Sequence, residues 1–269
     1  MTDSREKDMD EETKEMLSKV PAVTLVFWII KIFCTTIGET GGDAMTMSFL
    51  GETTAEANPN GYLIGTGIFA VIFIIAVAAQ IKASKFHPFL YWFTIVATTT
   101  VGTTLADYLT RSNGLGYTTG SAILLILVIA SLLVWKAVTG TVAIASVRNA
   151  QSEVFYWVTI MFSQTLGTAL GDWFADSADL GYLGAAGVFG GALLVMFLLY
   201  YFTSLSRTVL FWAAFILTRP LGAVVGDLLD KPHEQGGLEL SRYVATAILL
   251  VLIIGMIFIF PQKAAEEAH

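Results

Sequence analysis

Residues 28–43 read WIIKIFCTTIGETGGD: a tryptophan, a glycine ten residues later (Gly38) and an aspartate five after that (Asp43). The same ruler recurs as WFTIVATTTVGTTLAD at 92–107, WVTIMFSQTLGTALGD at 157–172 and WAAFILTRPLGAVVGD at 212–227. Its marks are Trp92/Gly102/Asp107, Trp157/Gly167/Asp172 and Trp212/Gly222/Asp227. Four copies at intervals of 55 to 65 residues mean that one supersecondary unit was duplicated, and such units stack to bury a shared core. The duplication also carries four acids into equivalent places.

Composition sets the medium. The 269 residues are 55% hydrophobic and only 14% charged, with a mean hydropathy of +0.69, against roughly a quarter charged in soluble domains. Apolar runs such as 62–81, and 121–135 with its flanks, approach the ~20 residues a helix needs to cross a bilayer. No alternating barrel pattern is present, so backbone polar groups in lipid must be satisfied inside helices. The chain is therefore expected to be an all-α integral membrane protein with spans at 21–43, 62–81, 88–107, 116–137, 154–172, 181–203, 207–229 and 241–260. Residues 1–20 form an acidic tail and 261–269 a second tail around a membrane domain at 21–260.

The spans group into repeats at 21–81, 88–137, 154–203 and 207–260, each a hairpin of one ruler helix and one plain apolar helix. Two-helix repeats all point the same way, giving a parallel array. Polar residues concentrate in the odd spans, so four odd helices are expected inside and four apolar even helices outside against lipid. An insertion at 44–60, acidic through Glu52 and Glu56, would cap the first copy externally. The net charge of −7 and the absence of a basic cluster exclude nucleic acid as a partner. Cys34 stands alone, so no intramolecular disulfide can form.

Counting from each tryptophan, positions +3, +7, +11 and +15 lie on one helix face. They are Lys31, Thr35, Glu39 and Asp43; then Ile95, Thr99, Thr103 and Asp107; then Ile160, Gln164, Thr168 and Asp172; then Phe215, Arg219, Ala223 and Asp227. Position +8 adds Thr36, Thr100 and Thr165. Each odd helix thus carries a polar stripe about 18 Å long. Lys31 and Arg219 fall mid-span, where an unpaired charge costs at least ~2.5 kcal/mol; they are expected to face inward and pair with acids. Five stripe acids against these two bases leave three uncompensated negatives among hydroxyls. Oxygen-rich sites of this kind suit Mg²⁺, Ca²⁺ or Mn²⁺.

Plainer roles compete. The tryptophans serve as interface anchors or packing residues, and the glycines allow close helix contact. An aspartate at a helix end beside water is cheap, and membrane threonines often bond their own carbonyls. Lys31, Glu39, Asp43 and Arg219 resist such readings, their alternative being an internal salt bridge that locks the bundle. No hydrolase or ATPase motif appears, so the chain does not read as an enzyme.

The stretch Lys31-x3-Thr35-Thr36-x-Gly38-Glu39-Thr40-x2-Asp43, followed by three further copies of the ruler, resembles a family of bacterial repeat-containing integral membrane proteins. That family is generally labelled uncharacterised membrane or membrane-anchored protein. The resemblance covers about residues 24 to 260 and implies that Lys31, Thr35, Thr36, Gly38, Glu39 and Asp43 form a signature helix. Lys82, Lys85, Lys136, Arg148, Arg207 and Lys263 lie on the side of both termini, against Arg111, Lys231 and Arg242 opposite. The resemblance implies a multi-pass protein of the bacterial inner membrane, and positive-inside bias puts both termini in the cytoplasm.

The functional expectation is a secondary transporter exporting a divalent cation, Mn²⁺ first. Glu39, Asp43, Asp107, Asp172 and Asp227 would be the metal ligands. Lys31, Thr35, Thr36, Thr99, Thr100, Thr103, Gln164, Thr165, Thr168 and Arg219 would line the path. Buried acids also offer protons as a coupling partner, and the array is compatible with self-association. The alternative is a non-transporting scaffold or sensor whose buried charges form a structural network.

Overall fold

The computed structural model describes residues 18–51 and 60–265. The apolar runs become eight long helices: α1 Leu25–Asp43, α2 Gly61–Lys82, α3 Pro88–Asp107, α4 Tyr117–Thr139, α5 Ala150–Asp172, α6 Gly181–Phe202, α7 Arg207–Asp230 and α8 Arg242–Ile259. Local chemistry sets several starts. Thr24 caps α1 by accepting from the Phe27 amide at 3.2 Å, Pro88 opens α3 where its missing N–H costs nothing, and Asn149 forms a capping box with Ser152. Among the described residues, seven helices are long and apolar enough to cross a membrane. The eighth, α5, is equally long but carries Gln151, Ser152, Glu153, Ser163 and Gln164. Its neighbours screen most of that polar surface, so it needs no uniformly apolar coat.

The odd helices close a ring in which α1 meets α3 and α7, and α5 meets the same two. They are mostly buried, whereas α2, α4, α6 and α8 expose apolar faces such as Val71, Ile74, Ile126, Leu133, Leu194 and Val251. This is a multi-pass membrane bundle with polar-striped helices inside and apolar helices outside. One expectation is corrected. An even helix does not pack chiefly on the odd helix of its own repeat. Instead α2 lies on α3, α4 on α5, α6 on α7, and α8 returns to α1. Each repeat therefore hands its outer helix to the next copy, and the last helix closes the ring.

Close approach inside the ring depends on small residues. A methyl group on Gly102 would lie 2.8 Å from Gln164 Cβ and 3.0 Å from the Gln164 carbonyl carbon. Gly38 faces Thr99, Gly167 faces Arg219 and Gly222 faces Thr35 in the same way. Each +10 glycine thus receives the +7 side chain of the next copy. One turn on, Gly42, Gly171 and Gly226 receive the +11 residues Thr103, Ala223 and Glu39. Hydrogen bonds follow the same step: Thr99 Oγ1 donates to the Cys34 carbonyl at 3.0 Å, and Thr35 Oγ1 to the Thr218 carbonyl at 3.1 Å.

Both described ends of the chain meet at the tryptophan end of the bundle. Pro21 and Ala264 form an isolated antiparallel bridge, with Ala22 N donating to Lys263 O and Ala265 N to Val20 O, both at 2.8 Å. Lys19 Nζ reaches Glu153 at 2.6 Å and the Ile81 carbonyl at 3.0 Å. Above it, Trp92, Trp157, Trp135, Tyr91, Tyr156 and Phe27 fill one core cluster, with the two tyrosine hydroxyls 2.6 Å apart. The acidic tail at 1–17, and Glu52 and Glu56 of the insertion, lie outside the described residues.

Beyond the aspartates the helices do not stop. One wider turn with i to i+5 bonds continues each of the first three copies, over Ala44–Phe49, Tyr108–Ser112 and Trp173–Ser177. Asp43, Asp107 and Asp172 consequently lie under an extra turn and are buried, not at a helix end beside water.

Gly102→Ala should lower bundle stability by about 1–3 kcal/mol through overpacking. Gly187→Ala on outward-facing α6, where an added methyl meets nothing within 4 Å, should be neutral or stabilising. Thermal melts in one detergent check the pair.

Candidate functional site

The stripes converge on the bundle axis in three layers. At +3, Lys31, Ile95, Ile160 and Phe215 are fully buried, and Lys31 Nζ lies 4.2 Å from the centre of the Phe215 ring. At +7 and +11 sits an ion pair, Arg219 Nη2 to Glu39 Oε2 at 2.9 Å, with 0% and 3% of the two side chains exposed. The same Nη2 also meets the hydroxyls of Thr103 and Thr168. Arg219 Nε and Nη1 and both amide atoms of Gln164 have no hydrogen-bond partner among the described residues.

The +15 aspartates form the third layer, bridged by two cations. Arg111 Nη2 donates to Asp172 Oδ2 at 3.0 Å, while its Nε lies 3.0 Å from Asp107 Oδ1 outside hydrogen-bond geometry. Lys231 Nζ lies 2.5 Å from Asp43 Oδ2 and 3.0 Å from Asp227 Oδ1. Burial disfavours the Lys231 ammonium, but Asp227, Asp43 and Asp230 outweigh it and hold its pKa well above the ordinary lysine value. Arg242 Nε stands 3.3 Å from Asp230 Oδ2.

The bridges alternate around the ring. Arg111 and Lys231 occupy position +19 of copies two and four and join copy two to three and copy four to one. Copies one and three carry Met47 and Asp176 there. At the junction of copies one and two, Glu39, Asp43 and Asp107 each offer a carboxylate oxygen, the three lying within 4.8 Å of one another. Neither oxygen of Asp107, nor Asp43 Oδ1, has a hydrogen-bond partner among the described residues. A second set of three, Asp43, Asp227 and Asp230, is equally close but encloses the Lys231 ammonium.

A family model described as "Repeat of Unknown Function (DUF347)" matches four times, over residues 26–86, 90–141, 155–206 and 210–260. The chain belongs to this family. Neither a curated protein nor a solved structure matches it. Each DUF347 repeat runs from a ruler helix through the following even helix, so the duplicated unit is offset by one helix from the packing pairs.

Among the residues expected from the repeats, Glu39, Asp43 and Asp107 come together, Thr103 and Arg219 join Glu39, and Thr168 meets Arg219. Asp172 and Asp227 are drawn aside by Arg111 and Lys231. Thr36, Thr100 and Thr165 bond back to the carbonyls of Ile32, Val96 and Met161 at 2.8–3.0 Å and spend their hydroxyls there. Thr35 and Thr99 stitch neighbouring helices. Lys31 does not pair with an acid; its nitrogen has no hydrogen-bond partner among the described residues and rests on an aromatic ring. The count of three uncompensated negatives is also revised, because Arg111, Lys231 and Arg242 fold into the acid layer and Asp230 joins it. A basic residue four after an aspartate, Asp107-x3-Arg111 and Asp227-x3-Lys231, was the available signal.

Arg219→Met should cost about 3–5 kcal/mol by leaving the Glu39 carboxylate buried without its partner. Adding Glu39→Gln should recover most of that loss. A double-mutant cycle of unfolding in mixed micelles measures the coupling.

Proposed function

We propose that this protein is a secondary transporter for a divalent cation, with Glu39, Asp43 and Asp107 as the first ligands. The observation that carries the reading is their junction: three buried carboxylates in mutual reach, several oxygens without partners, and Met47 where alternate copies have a cation. Carboxylates with hydroxyls nearby form a hard donor set, suited to Mn²⁺, Mg²⁺ or Ca²⁺ and poor for soft metals. Mn²⁺ is the first candidate and export the direction, with protons as the coupling ion on the carboxylates. Arg219 acts as the standing counter-charge of Glu39. Asp172 and Asp227, held by their cations, guard the approach.

We infer further that the site lies in the bacterial cytoplasmic membrane with both termini inside. Supporting this, Arg111, Lys231 and Arg242 neutralise buried acids, which leaves the free lysines and arginines concentrated at the tryptophan end. A second reading has its own support. The Arg111 and Lys231 bridges would suit a non-transporting scaffold or sensor whose charges only lock the bundle.

Total cellular Mn, Mg, Ca, Zn and Fe in expressing bacteria separates the two. Wild-type protein should lower Mn alone, and Glu39→Gln, Asp43→Asn and Asp107→Asn should abolish the fall at matched membrane levels. Unchanged metals with all four proteins stably inserted would favour the scaffold.

A further inference from the structure

Lys231 follows α7 directly, and its ammonium has three neighbours: Asp43 Oδ2 at 2.5 Å, Asp227 Oδ1 at 3.0 Å and Met47 Sδ at 3.6 Å. Only 7% of the side chain is exposed. Carboxylates gathered around one buried positive atom resemble the surroundings of a bound cation, here tethered to the chain. Asp43 belongs to both acid sets, one with Glu39 and Asp107 and one with Asp227 and Asp230. Its Oδ2 holds Lys231, while its Oδ1 has no hydrogen-bond partner among the described residues.

A divalent ion gripping Asp43 would therefore share that carboxylate with an ammonium, and like charges on one buried ligand repel strongly. The ammonium has somewhere to go. Asp230, three residues after Asp227, has no hydrogen bond to either carboxylate oxygen among the described residues and lies within reach of the same cage. The other cation there, Arg242, stands 3.3 Å from Asp230 Oδ2 and 4.0 Å from Asp43 Oδ2 and donates to Ser48 Oγ at 3.1 Å. On the opposite side, Arg111 is occupied by Asp107 and Asp172. Arg111 likewise shares Asp107 with the proposed site, but of these two bridging cations Lys231 is the one with a further acid beside it, Asp230, whose oxygens have no hydrogen-bond partner among the described residues.

We propose that Lys231 is a tethered counter-cation: a divalent ion entering at Glu39, Asp43 and Asp107 displaces its ammonium from Asp43 toward Asp230. The inference rests on the cation-transport reading. It adds that Asp43 is neutralised by the chain itself when no substrate is bound, so the ion-free bundle never buries a bare carboxylate there. Substrate and lysine compete for one ligand, and that competition sets both affinity and release.

The test uses the full-length protein in nanodiscs, with Mn²⁺ as the probe. By calorimetric titration, Lys231→Met should bind Mn²⁺ about tenfold or more tightly than wild type, because the competing charge is gone. In wild type, saturating Mn²⁺ should raise the labelling of Lys231 by an amine-reactive reagent severalfold, read by mass spectrometry, and leave Lys19 at the far end unchanged. If the variant does not fold, the wild-type labelling decides alone. Mn²⁺ binding to wild type with no gain in the variant and no change in labelling overturns the displacement and leaves the cation reading intact. No Mn²⁺ binding to either protein defeats the cation reading and the displacement together.

Discussion

Everything inside this bundle depends on how closely the four odd helices approach one another. At +10 every copy has glycine, and at +14 three copies do, so side chains at +7 and +11 of the next helix enter sockets that a methyl group would fill. Between membrane helices there is little hydrophobic gain to be had, and such close packing with interhelical hydrogen bonds is what holds them. The threonines at +7 make those bonds in two of the four steps. Because the sockets face the next copy, each polar stripe turns away from lipid and toward the axis. Outer helices can then be almost purely apolar.

Driving the stripes together creates an electrostatic problem that the chain resolves unevenly. Glu39 and the +15 aspartates, with Asp230, are buried in a small volume and would be untenable alone. Arg219, Arg111, Lys231 and Arg242 answer them. The answer follows alternate copies, since only the second and fourth carry a cation at +19. A fourfold scaffold thereby acquires two unlike kinds of junction. Divergence after duplication, and not the repeat itself, distinguishes the place where Glu39, Asp43 and Asp107 meet.

Much of this was legible in the sequence. Eight apolar segments, the ruler and the uneven distribution of polar residues imply an all-helical bundle with striped helices inside, as found. Reading the partners of the charges was harder. The cost of an unpaired charge mid-span implies an acid beside Lys31, yet its ammonium lies on the Phe215 ring. Sequence alone puts Arg111 and Lys231 in loops, because the second ruler span is expected to end at Asp107 and the fourth at 229. An extra wide turn in copy two, and a longer helix in copy four, fold those cations back over the acids.

Periodicity and hydropathy by themselves determined the element types, their number and which face of each helix is polar, because these follow from local spacing and from the cost of polar groups in lipid. Only the tertiary structure decided which helix neighbours which. The outer helix of one repeat covers the inner helix of the next and α8 closes on α1, while the sockets and side chains of the inner helices match between copies and not within them. The same step decides the pairing of charges. An ion pair depends on distances of a few ångströms between separate helices, and no spacing along a single helix encodes them.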